Sequence, residues 1–328
     1  MFSFSWIVLV LSACSVLLLR PLWLNLDILL GGCSGESQSG TNGGPNVLLL
    51  TAHPDDECMF FAPTLLALRA HAETAQPAAN VFSLCLSVGN ADGLGGTRRL
   101  ELERSLDVLG IEPNRRWVED RPDLQDNITA RWDPEIISEV LRPYVLENEI
   151  TTILTFDQYG ISGHPNHISL PLGAARLIEF LSSDNGSNTP LPRLFTLVSA
   201  TLLQKYTGPI APLVLRTRAQ KLFAWGSGRA QRGAAAPDAI TAHSTSTPRD
   251  PVGQQSARVN LDARCVPIAV SGAGEYQTAL RAMMQHRSQL VWFRWLYVAF
   301  SWYMWVNEWV EVHVGRGDTV AGVGAGAD

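Results

Sequence analysis

The sequence predicts an α/β domain with a Rossmann-like, mostly parallel sheet flanked by helices. Two observations lead to this prediction. Short apolar runs such as Asn46–Thr51 lack polar alternation, which is typical of strands buried on both faces of a parallel sheet. Segments with helical spacing separate these runs, and strands that alternate with helices form parallel sheets. With 328 residues and 46% hydrophobic composition, the chain suits one large domain with appendages.

The expected elements follow one another from residue 46 to residue 200. Gly110 and Asp133 mark two helix boundaries, because glycine commonly ends a helix and aspartate commonly caps the start of one. The predicted strands are Asn46–Thr51, Val81–Val88, Thr151–Phe156 and Leu194–Ala200. The predicted helices are Phe60–His71, Thr97–Leu109, Pro134–Glu147 and Ile168–Leu181.

The N-terminus predicts a transmembrane helix, because Phe2–Leu19 approaches the roughly 20 apolar residues that cross a bilayer. A cleaved signal peptide and a lipoprotein signal at Leu11–Cys14 are alternatives. Both usually carry positive charge before the apolar run, and here only the terminal amine precedes Arg20. An uncleaved anchor over residues 1–30 is therefore favoured. Because Arg20 follows the run, the positive-inside rule puts the domain in the cytoplasm.

Three further segments lack the periodicity of packed elements. Residues 31–45 are rich in Gly and Ser and are predicted to be a flexible linker. Residues 226–262 are rich in small and polar residues, which predicts a disordered insertion. Residues 313–328 are predicted to be a flexible tail. The folded domain is therefore expected to span residues 46–312.

Residues 291–309 are crowded with Trp, Tyr and Phe. Polar residues recur within the run and disfavour a second membrane span: Arg294, Ser301, Asn307 and Glu308. The pattern favours an amphipathic helix with its aromatic residues at a membrane interface. A buried helix that covers the sheet is the alternative, and the two interpretations are compatible.

Charge and cysteine content argue against several function classes. The formal net charge of −6 argues against nucleic-acid binding, for which a basic face is expected. The five cysteines contain no CxxC pair, so neither a disulfide framework nor a cysteine zinc site is expected, and reduced thiols fit a cytosol-facing domain. Gly93–Gly96 resembles a nucleotide-binding loop, but Arg98 stands where the third glycine of GxGxxG is required.

A cluster of polar residues, His53, Asp55, Asp56 and Glu57, follows the first predicted strand. Ligands of open α/β sheets bind beyond the carboxyl ends of the strands, so this strand delivers an imidazole and three carboxylates to the edge where sites form. Successive side chains point in different directions, so one aspartate can bind a metal while the other faces a substrate. A polar turn that caps the next helix is the competing interpretation of this motif alone.

A second loop of this kind follows the third predicted strand and contains His164 and His167. With this loop, His53, Asp56 and His167 make a three-ligand set that leaves one position open, which is the arrangement of a catalytic zinc. Zinc would lower the pKa of a bound water and polarise a carbonyl group. Asp55 is then available as the general base. His164 can stabilise an oxyanion and protonate a leaving amine.

The two motifs resemble the LmbE-like de-N-acetylase family, and within it the N-acetylglucosaminyl-phosphatidylinositol de-N-acetylase (PIG-L) branch. The similarity covers most of Asn46–Leu203 and then Glu275–Asn307. The sequences AHPDDE and HPNH, the latter at His164–His167, indicate the family. The run HRSQLVWFRWLY, which begins at His286, indicates the branch. The resemblance implies an LmbE-like fold.

The resemblance also implies an activity and a location. The expected activity is metal-dependent hydrolysis of the N-acetyl group of N-acetylglucosaminyl-phosphatidylinositol, the second step of GPI-anchor biosynthesis. The protein is expected in the endoplasmic-reticulum membrane, single-pass, with its catalytic domain facing the cytosol. Arg98 matches the family and is expected to contact substrate, whereas Gly96 stands where relatives often carry Glu. The implied site residues are His53, Asp56 and His167 on zinc, Asp55 as base and His164 at the tetrahedral intermediate.

Two other functions stay open at this point. The enzymatic alternative applies the same chemistry to a soluble N-acetyl glycoconjugate. The non-enzymatic alternative is a metal-free membrane scaffold, which has no need of the intact His and Asp set. Zn²⁺ is the expected metal and Fe²⁺ the alternative. The expected partner is a membrane-embedded glycolipid, and the sequence identifies no protein partner.

Overall fold

The computed structural model describes residues 12, 20–31, 44–75, 77–183, 190–216 and 266–314. Its strands are β1 (Leu22–Leu24), β2 (Asn46–Thr51), β3 (Asn80–Cys85), β4 (Arg116–Val118), β5 (Thr152–Phe156), β6 (Arg193–Leu197), β7 (Ile268–Val270) and β8 (Val306–Val312). Its helices are α1 (Asp56–Met59), α2 (Ala62–Thr74), α3 (Gly95–Leu109), α4 (Pro134–Glu147), α5 (Gly160–Gly163), α6 (Pro165–Ser183), α7 (Leu202–Lys205), α8 (Ala273–Met283) and α9 (Trp292–Phe300). The strands form one eight-stranded sheet in the order β1-β7-β8-β6-β5-β2-β3-β4.

Five neighbouring strands, in the sheet order β6-β5-β2-β3-β4, are parallel to one another. β2 lies at their centre, where Val47 pairs with Val81 of β3 and with Thr152 of β5. The apolar residues of β2, from Val47 to Leu50, have no exposed surface. Burial on both faces explains why this strand shows no polar alternation. The predicted mostly parallel α/β sheet is confirmed.

Three strands extend the sheet beyond β6 in antiparallel orientation: β8, β7 and β1. The aromatic run predicted as one helix over residues 291–309 is helical in α9, but its final residues enter β8. Valines recur at Val306, Val310 and Val312, and β-branched residues favour extended backbone. Trp309 of β8 is fully buried. The single-helix prediction is therefore wrong for the second half of this run.

Residues 20–31 pack onto the folded domain. Leu22 of β1 pairs with Val270 of β7, and Leu26, Ile28 and Leu29 are buried in the core. The predicted end of the anchor at residue 30 is therefore wrong, because an apolar run can be buried by protein as readily as by lipid. The predicted span at residues 2–19 lies outside the described residues except for Ser12. No helix within the described part of the chain is long and apolar enough to cross a membrane.

The other predicted appendages fall almost wholly outside the described residues. Of the linker at 31–45, residues 31, 44 and 45 are described, and of the tail at 313–328 only residues 313 and 314. The predicted insertion at 226–262 lies entirely outside them. Cys58 and Cys85 are buried free thiols, in agreement with the expected reduced cysteines.

Candidate active site

The two predicted motifs meet because β2 and β5 are adjacent parallel strands. β2 ends at Thr51 and β5 at Phe156, so both segments leave the sheet at the same edge. The ring centroids of His53 and His167 lie 5.4 Å apart, and those of His53 and His164 lie 4.9 Å apart. Residues far apart in the sequence therefore form one cluster.

Hydrogen bonds orient the imidazole rings of this cluster. His53, His164 and His167 each offer a nitrogen, and these atoms all lie within 4.8 Å of one another. His167 Nδ1 donates to the Gly160 carbonyl at 3.2 Å, so Nε2 of the neutral ring keeps a lone pair, although the adjacent Asp56 raises the pKa of this imidazole. His53 Nε2 donates to Asn166 Oδ1 at 3.0 Å, so its Nδ1 keeps a lone pair. Burial lowers the pKa of His53 to about 4, which keeps this ring neutral.

Asp56 is the carboxylate of the cluster. Its Oδ2 accepts hydrogen bonds from the backbone N–H groups of Ala52 at 3.0 Å and His53 at 2.9 Å. Its Oδ1 lies 3.2 Å from His167 Nε2. Burial alone would raise the pKa of Asp56, but His167, His53 and the backbone donor hold it well below its usual range. Asp56 is therefore an ionised, acceptor-only group.

The pairing of Asp56 Oδ1 with His167 Nε2 requires a cation or a proton between two acceptors. His167 Nε2 is buried and has no hydrogen-bond partner among the residues that the structure describes. Two ligand atoms that each lie about 2 Å from one tetrahedral zinc ion are separated by roughly the distance found here. Asp56 and His167 therefore fit two ligands of one divalent metal, and the mutually close nitrogens of His53, His164 and His167 could supply the remaining imidazole. Either His53 or His164 is close enough for this position, so the predicted set of His53, Asp56 and His167 stays a prediction.

Asp55 adopts a strained backbone conformation, with φ at 108°. Such a conformation costs a non-glycine residue about 1–3 kcal/mol and is found most often at functional sites. Asp55 Oδ2 lies 3.3 Å from Arg294 Nη2 and 3.9 Å from Arg98 Nη2. Burial raises the pKa of Asp55 even though both guanidinium groups oppose this. A raised carboxyl pKa suits the predicted general base.

His164 is half-buried beside the other two imidazoles. Its Nδ1 accepts a hydrogen bond from the Asn166 N–H at 3.3 Å, so the neutral ring carries its proton on Nε2. This Nε2 lies 3.9 Å from Asp126 Oδ1. Burial and the neighbouring His167 lower the pKa of His164. The ring can therefore act as a neutral hydrogen-bond donor, as the predicted oxyanion role requires.

Arg98 is buried, and its guanidinium group donates to backbone carbonyls. Nη1 donates to Gly89 at 2.9 Å, and Nη2 donates to Pro54 at 2.8 Å. Gly89 has φ at +66°, and a Cβ there would lie 2.5 Å from the guanidinium, so this approach requires glycine. These hydrogen bonds fix the position of the loop that carries Asp55. The substrate contact predicted for Arg98 stays a prediction.

The sequence analysis missed two charged residues of the site. Asp126 lies in the loop after β4, with Oδ1 3.3 Å from His53 Nε2 and Oδ2 3.4 Å from Arg98 Nη1. No motif surrounds Asp126 in the sequence. Arg294 was interpreted only as a polar interruption of an aromatic run, although it belongs to the C-terminal stretch that resembles the family.

A second cluster, formed by Glu57, Cys58 and His286, adjoins the first and is fully buried. Glu57 Oε1 accepts hydrogen bonds from His286 Nε2 at 2.7 Å and from the Ser105 hydroxyl. Glu57 Oε2 accepts a hydrogen bond from the Asp55 N–H at 3.0 Å. Burial raises the pKa of the Cys58 thiol far above its usual value, so the sulfur stays protonated and is a poor metal ligand. This cluster is therefore not expected to be a second metal site.

Comparisons with known proteins match the region that holds both motifs. The family model described as PIG-L, GlcNAc-PI de-N-acetylase, matches residues 48–178. An N-acetylglucosaminyl-phosphatidylinositol de-N-acetylase of Bos taurus is 36% identical over 269 residues, which cover 81% of this chain and 83% of the bovine chain. A protein of the same name from Arthroderma benhamiae is 32% identical over 80% of this chain and 85% of its own. Among solved structures, a deacetylase of the teicoplanin biosynthesis pathway is 12% identical, with a TM-score of 0.44 over 81% of this chain and 98% of that chain. That likeness is too low to bear on the chemistry.

Proposed function

Because the chain belongs to the PIG-L family of GlcNAc-PI de-N-acetylases, we propose that it hydrolyses the acetamide of N-acetylglucosaminyl-phosphatidylinositol. The products are acetate and glucosaminyl-phosphatidylinositol, and the reaction is the second step of GPI-anchor biosynthesis. The main support for the proposal is that the loops after β2 and β5, which carry the predicted histidine and aspartate residues, meet at one edge of the sheet. The residues involved are His53, Asp55, Asp56, His164 and His167.

His53, Asp56 and His167 would hold a divalent metal ion, with Zn²⁺ as the expected metal and Fe²⁺ as the alternative. When bound, such an ion supplies Lewis acidity that lowers the pKa of water and polarises the acetyl carbonyl. The support for this assignment is the close approach of the buried His167 Nε2 to the ionised Asp56, whose Oδ1 lies 3.2 Å away.

Asp55 and His164 have separate roles, one in proton transfer and the other in hydrogen bonding. Asp55 takes one proton from the attacking water as the water oxygen bonds to the acetyl carbon. His164 donates a hydrogen bond from its Nε2–H to the oxyanion that develops on the former carbonyl oxygen. As the C–N bond breaks, the proton held by Asp55 passes to the sugar nitrogen, so that acetate and a free amine leave. These roles are supported by the buried Asp55 Oδ2, which accepts no hydrogen bond among the described residues, and by the Nε2–H tautomer of His164.

An exposed apolar face borders the site and supports a membrane-embedded substrate. The face consists of α9 and the segment 202–210, and its exposed side chains are Trp292, Phe293, Trp295, Leu296, Phe300, Leu202, Leu203, Tyr206 and Ile210. Trp292 is 76% exposed and Leu203 85%. Exposed apolar patches of this kind mark interaction surfaces, and Trp and Tyr favour the interface of a bilayer.

The two parts of this face are held together and connected to the site. Gly208 packs so closely on the Ser301 carbonyl that a Cβ would lie 2.2 Å from its oxygen. Arg294 of α9 lies 3.3 Å from Asp55, and Lys205 Nζ donates at 2.9 Å to Ser162 Oγ in α5, which directly precedes His164. A bilayer against this face would bring the glycolipid headgroup to the base. The proposed location is the endoplasmic-reticulum membrane, with the domain on the cytosolic side.

The experiment measures product formation by the full chain in vesicles that contain N-acetylglucosaminyl-phosphatidylinositol, with mass spectrometry of the deacetylated lipid. Wild-type protein should form glucosaminyl-phosphatidylinositol, and His167→Ala should lose both bound metal and product. His71→Ala is the matched control, because His71 faces Asp27 at 3.6 Å outside the site. Normal turnover by His167→Ala would contradict the proposal. Acetate release from soluble N-acetyl sugars alone would favour a soluble substrate.

A further inference from the structure

We propose that His286 is a positioning residue for the reaction, and that it acts through Glu57 on the backbone of Asp55. The inference rests on the proposed function, in which Asp55 is the general base. Sequence motifs assign a role to Asp55 and to Asp56 but none to Glu57 or to His286. The structure joins these residues in one continuous chain of hydrogen bonds.

The chain of contacts runs from the C-terminal segment to the base. His286 Nε2 donates to Glu57 Oε1 at 2.7 Å, and the other oxygen of Glu57 accepts the Asp55 N–H at 3.0 Å. The Cys58 thiol donates to the Asp55 carbonyl at 3.2 Å. Both backbone polar groups of Asp55 are therefore bound, and its φ is held at 108°. A residue in this disfavoured conformation persists only where its surroundings fix it.

His286 is itself held in place by α3. Glu101 of α3 accepts hydrogen bonds from the Ser288 N–H at 2.8 Å and from the Ser288 hydroxyl at 2.5 Å. Ser105 lies one turn further along α3 and donates to the same Glu57 oxygen as His286. Glu57 therefore has donors from two separate elements, and its orientation does not depend on α1 alone.

The position of the Asp55 carboxylate follows from this backbone. With its N–H and carbonyl fixed, Asp55 directs Oδ2 to a place 3.3 Å from Arg294 Nη2, outside the contact between Asp56 and His167. If the Glu57 contact is lost, Asp55 can relax toward a common backbone conformation and its carboxylate leaves this place. Misplacement of a reacting group lowers the rate of the chemical step more than it lowers substrate binding.

A purely structural role for His286 predicts a different result. If His286 only attached the C-terminal segment to the domain, its replacement would change the unfolding temperature and the amount of folded protein. It would not change kcat per folded, metal-loaded molecule. The separation of kcat from KM and from metal content therefore distinguishes the two roles.

The test compares His286→Leu, which removes the donor, with His286→Gln, whose amide nitrogen can reach Glu57. We expect His286→Leu to lower kcat by about 10- to 100-fold, the range found for partners that orient site residues, with KM and bound metal little changed. His286→Gln should recover most of the lost kcat. Hydrogen exchange of the Asp55 amide, followed by mass spectrometry in the absence of substrate, should be faster in His286→Leu. His71→Leu serves as the control for loss of a histidine that faces a carboxylate elsewhere.

Unchanged kcat and unchanged Asp55 exchange in His286→Leu would overturn the proposal. Equal losses in His286→Leu and His286→Gln would also overturn it, since the hydrogen bond would then be irrelevant. If His286→Leu does not fold, Ser105→Ala is the second variant, because it removes one donor to the same Glu57 oxygen. It should lower kcat by a smaller factor at constant KM. Unchanged kcat in Ser105→Ala would overturn the proposal. Wild-type protein without activity on the glycolipid would contradict the proposed function alone, because amide exchange still decides the positioning role.

Discussion

Replacement of Asp55 by Asn isolates the general base, because the change removes a carboxylate charge with almost no change in volume. Within the described residues, Asp55 Oδ2 is buried and accepts no hydrogen bond, so it is available to a reacting proton. An amide oxygen cannot take up that proton near neutral pH. General bases contribute about 10²- to 10⁴-fold to rate. The loss corresponds to about 3–5 kcal/mol of transition-state stabilisation.

Metal content separates this effect from damage to the rest of the site. The ligand atoms predicted for the metal belong to His53, Asp56 and His167, none of which changes in Asp55→Asn. Arg294 loses its nearest carboxylate, but its side chain is 27% exposed and can be solvated. We therefore expect kcat to fall while bound metal stays at the wild-type level.

The assay measures steady-state kcat on N-acetylglucosaminyl-phosphatidylinositol in vesicles, with metal quantified on the same sample. Asp107→Asn is a matched control, because Asp107 also faces an arginine, at 2.5 Å, but is 64% exposed and lies outside the site. Near-normal kcat in metal-loaded Asp55→Asn would refute the assignment of the base. Loss of metal together with activity would instead identify Asp55 as a ligand.

Three further substitutions test the fold and the exposed face. Asn307→Ala should lower the free energy of unfolding by about 2–5 kcal/mol in chemical denaturation, because the buried Thr64 hydroxyl and Phe60 carbonyl lose the Asn307 amide that they contact at 2.8 and 2.7 Å. An unchanged denaturation midpoint would contradict this. Gly110→Ala should lower the free energy of unfolding by about 1–2 kcal/mol in the same assay, because φ at Gly110 is +83°. A loss of stability no larger than that of an exposed Gly96→Ala control would be inconsistent with the left-handed conformation at this helix end. Trp295→Ser in α9 should weaken sedimentation with lipid vesicles while kcat on a short-chain, water-soluble substrate stays unchanged; equal binding by the variant and wild type would exclude the face as a lipid contact.

Local sequence patterns were sufficient for the centre of the sheet and for the expectation that the two motifs meet at one edge of it. Strands β2 and β5 are continuous apolar runs, so their identity needs no knowledge of the rest of the chain. Because parallel strands present their carboxyl ends at one edge, the meeting of His53 with His167 followed from topology. The structure brings these side chains together as that reasoning requires.

The missed features depend on contacts that no local pattern encodes. His286 and Glu57 are 229 residues apart in the sequence, and each alone resembles an ordinary polar residue. The apolar run Leu22–Leu30 is equally compatible with a bilayer and with a protein core, and its pairing with β7 decides the matter. Aromatic residues past Phe300 suit a helix or a strand, so the change to β8 could not be predicted from composition.

The central claim, a metal-dependent de-N-acetylase acting on a membrane glycolipid, is tested most directly by acetate release. Membranes that carry the protein are supplied with N-acetylglucosaminyl-phosphatidylinositol, treated with a chelator, and then given Zn²⁺ or Fe²⁺. We predict that release stops with the chelator and returns with one of these ions. Release that continues in metal-free protein would contradict the assigned chemistry, and metal-loaded protein that releases no acetate from this lipid would contradict the assigned substrate.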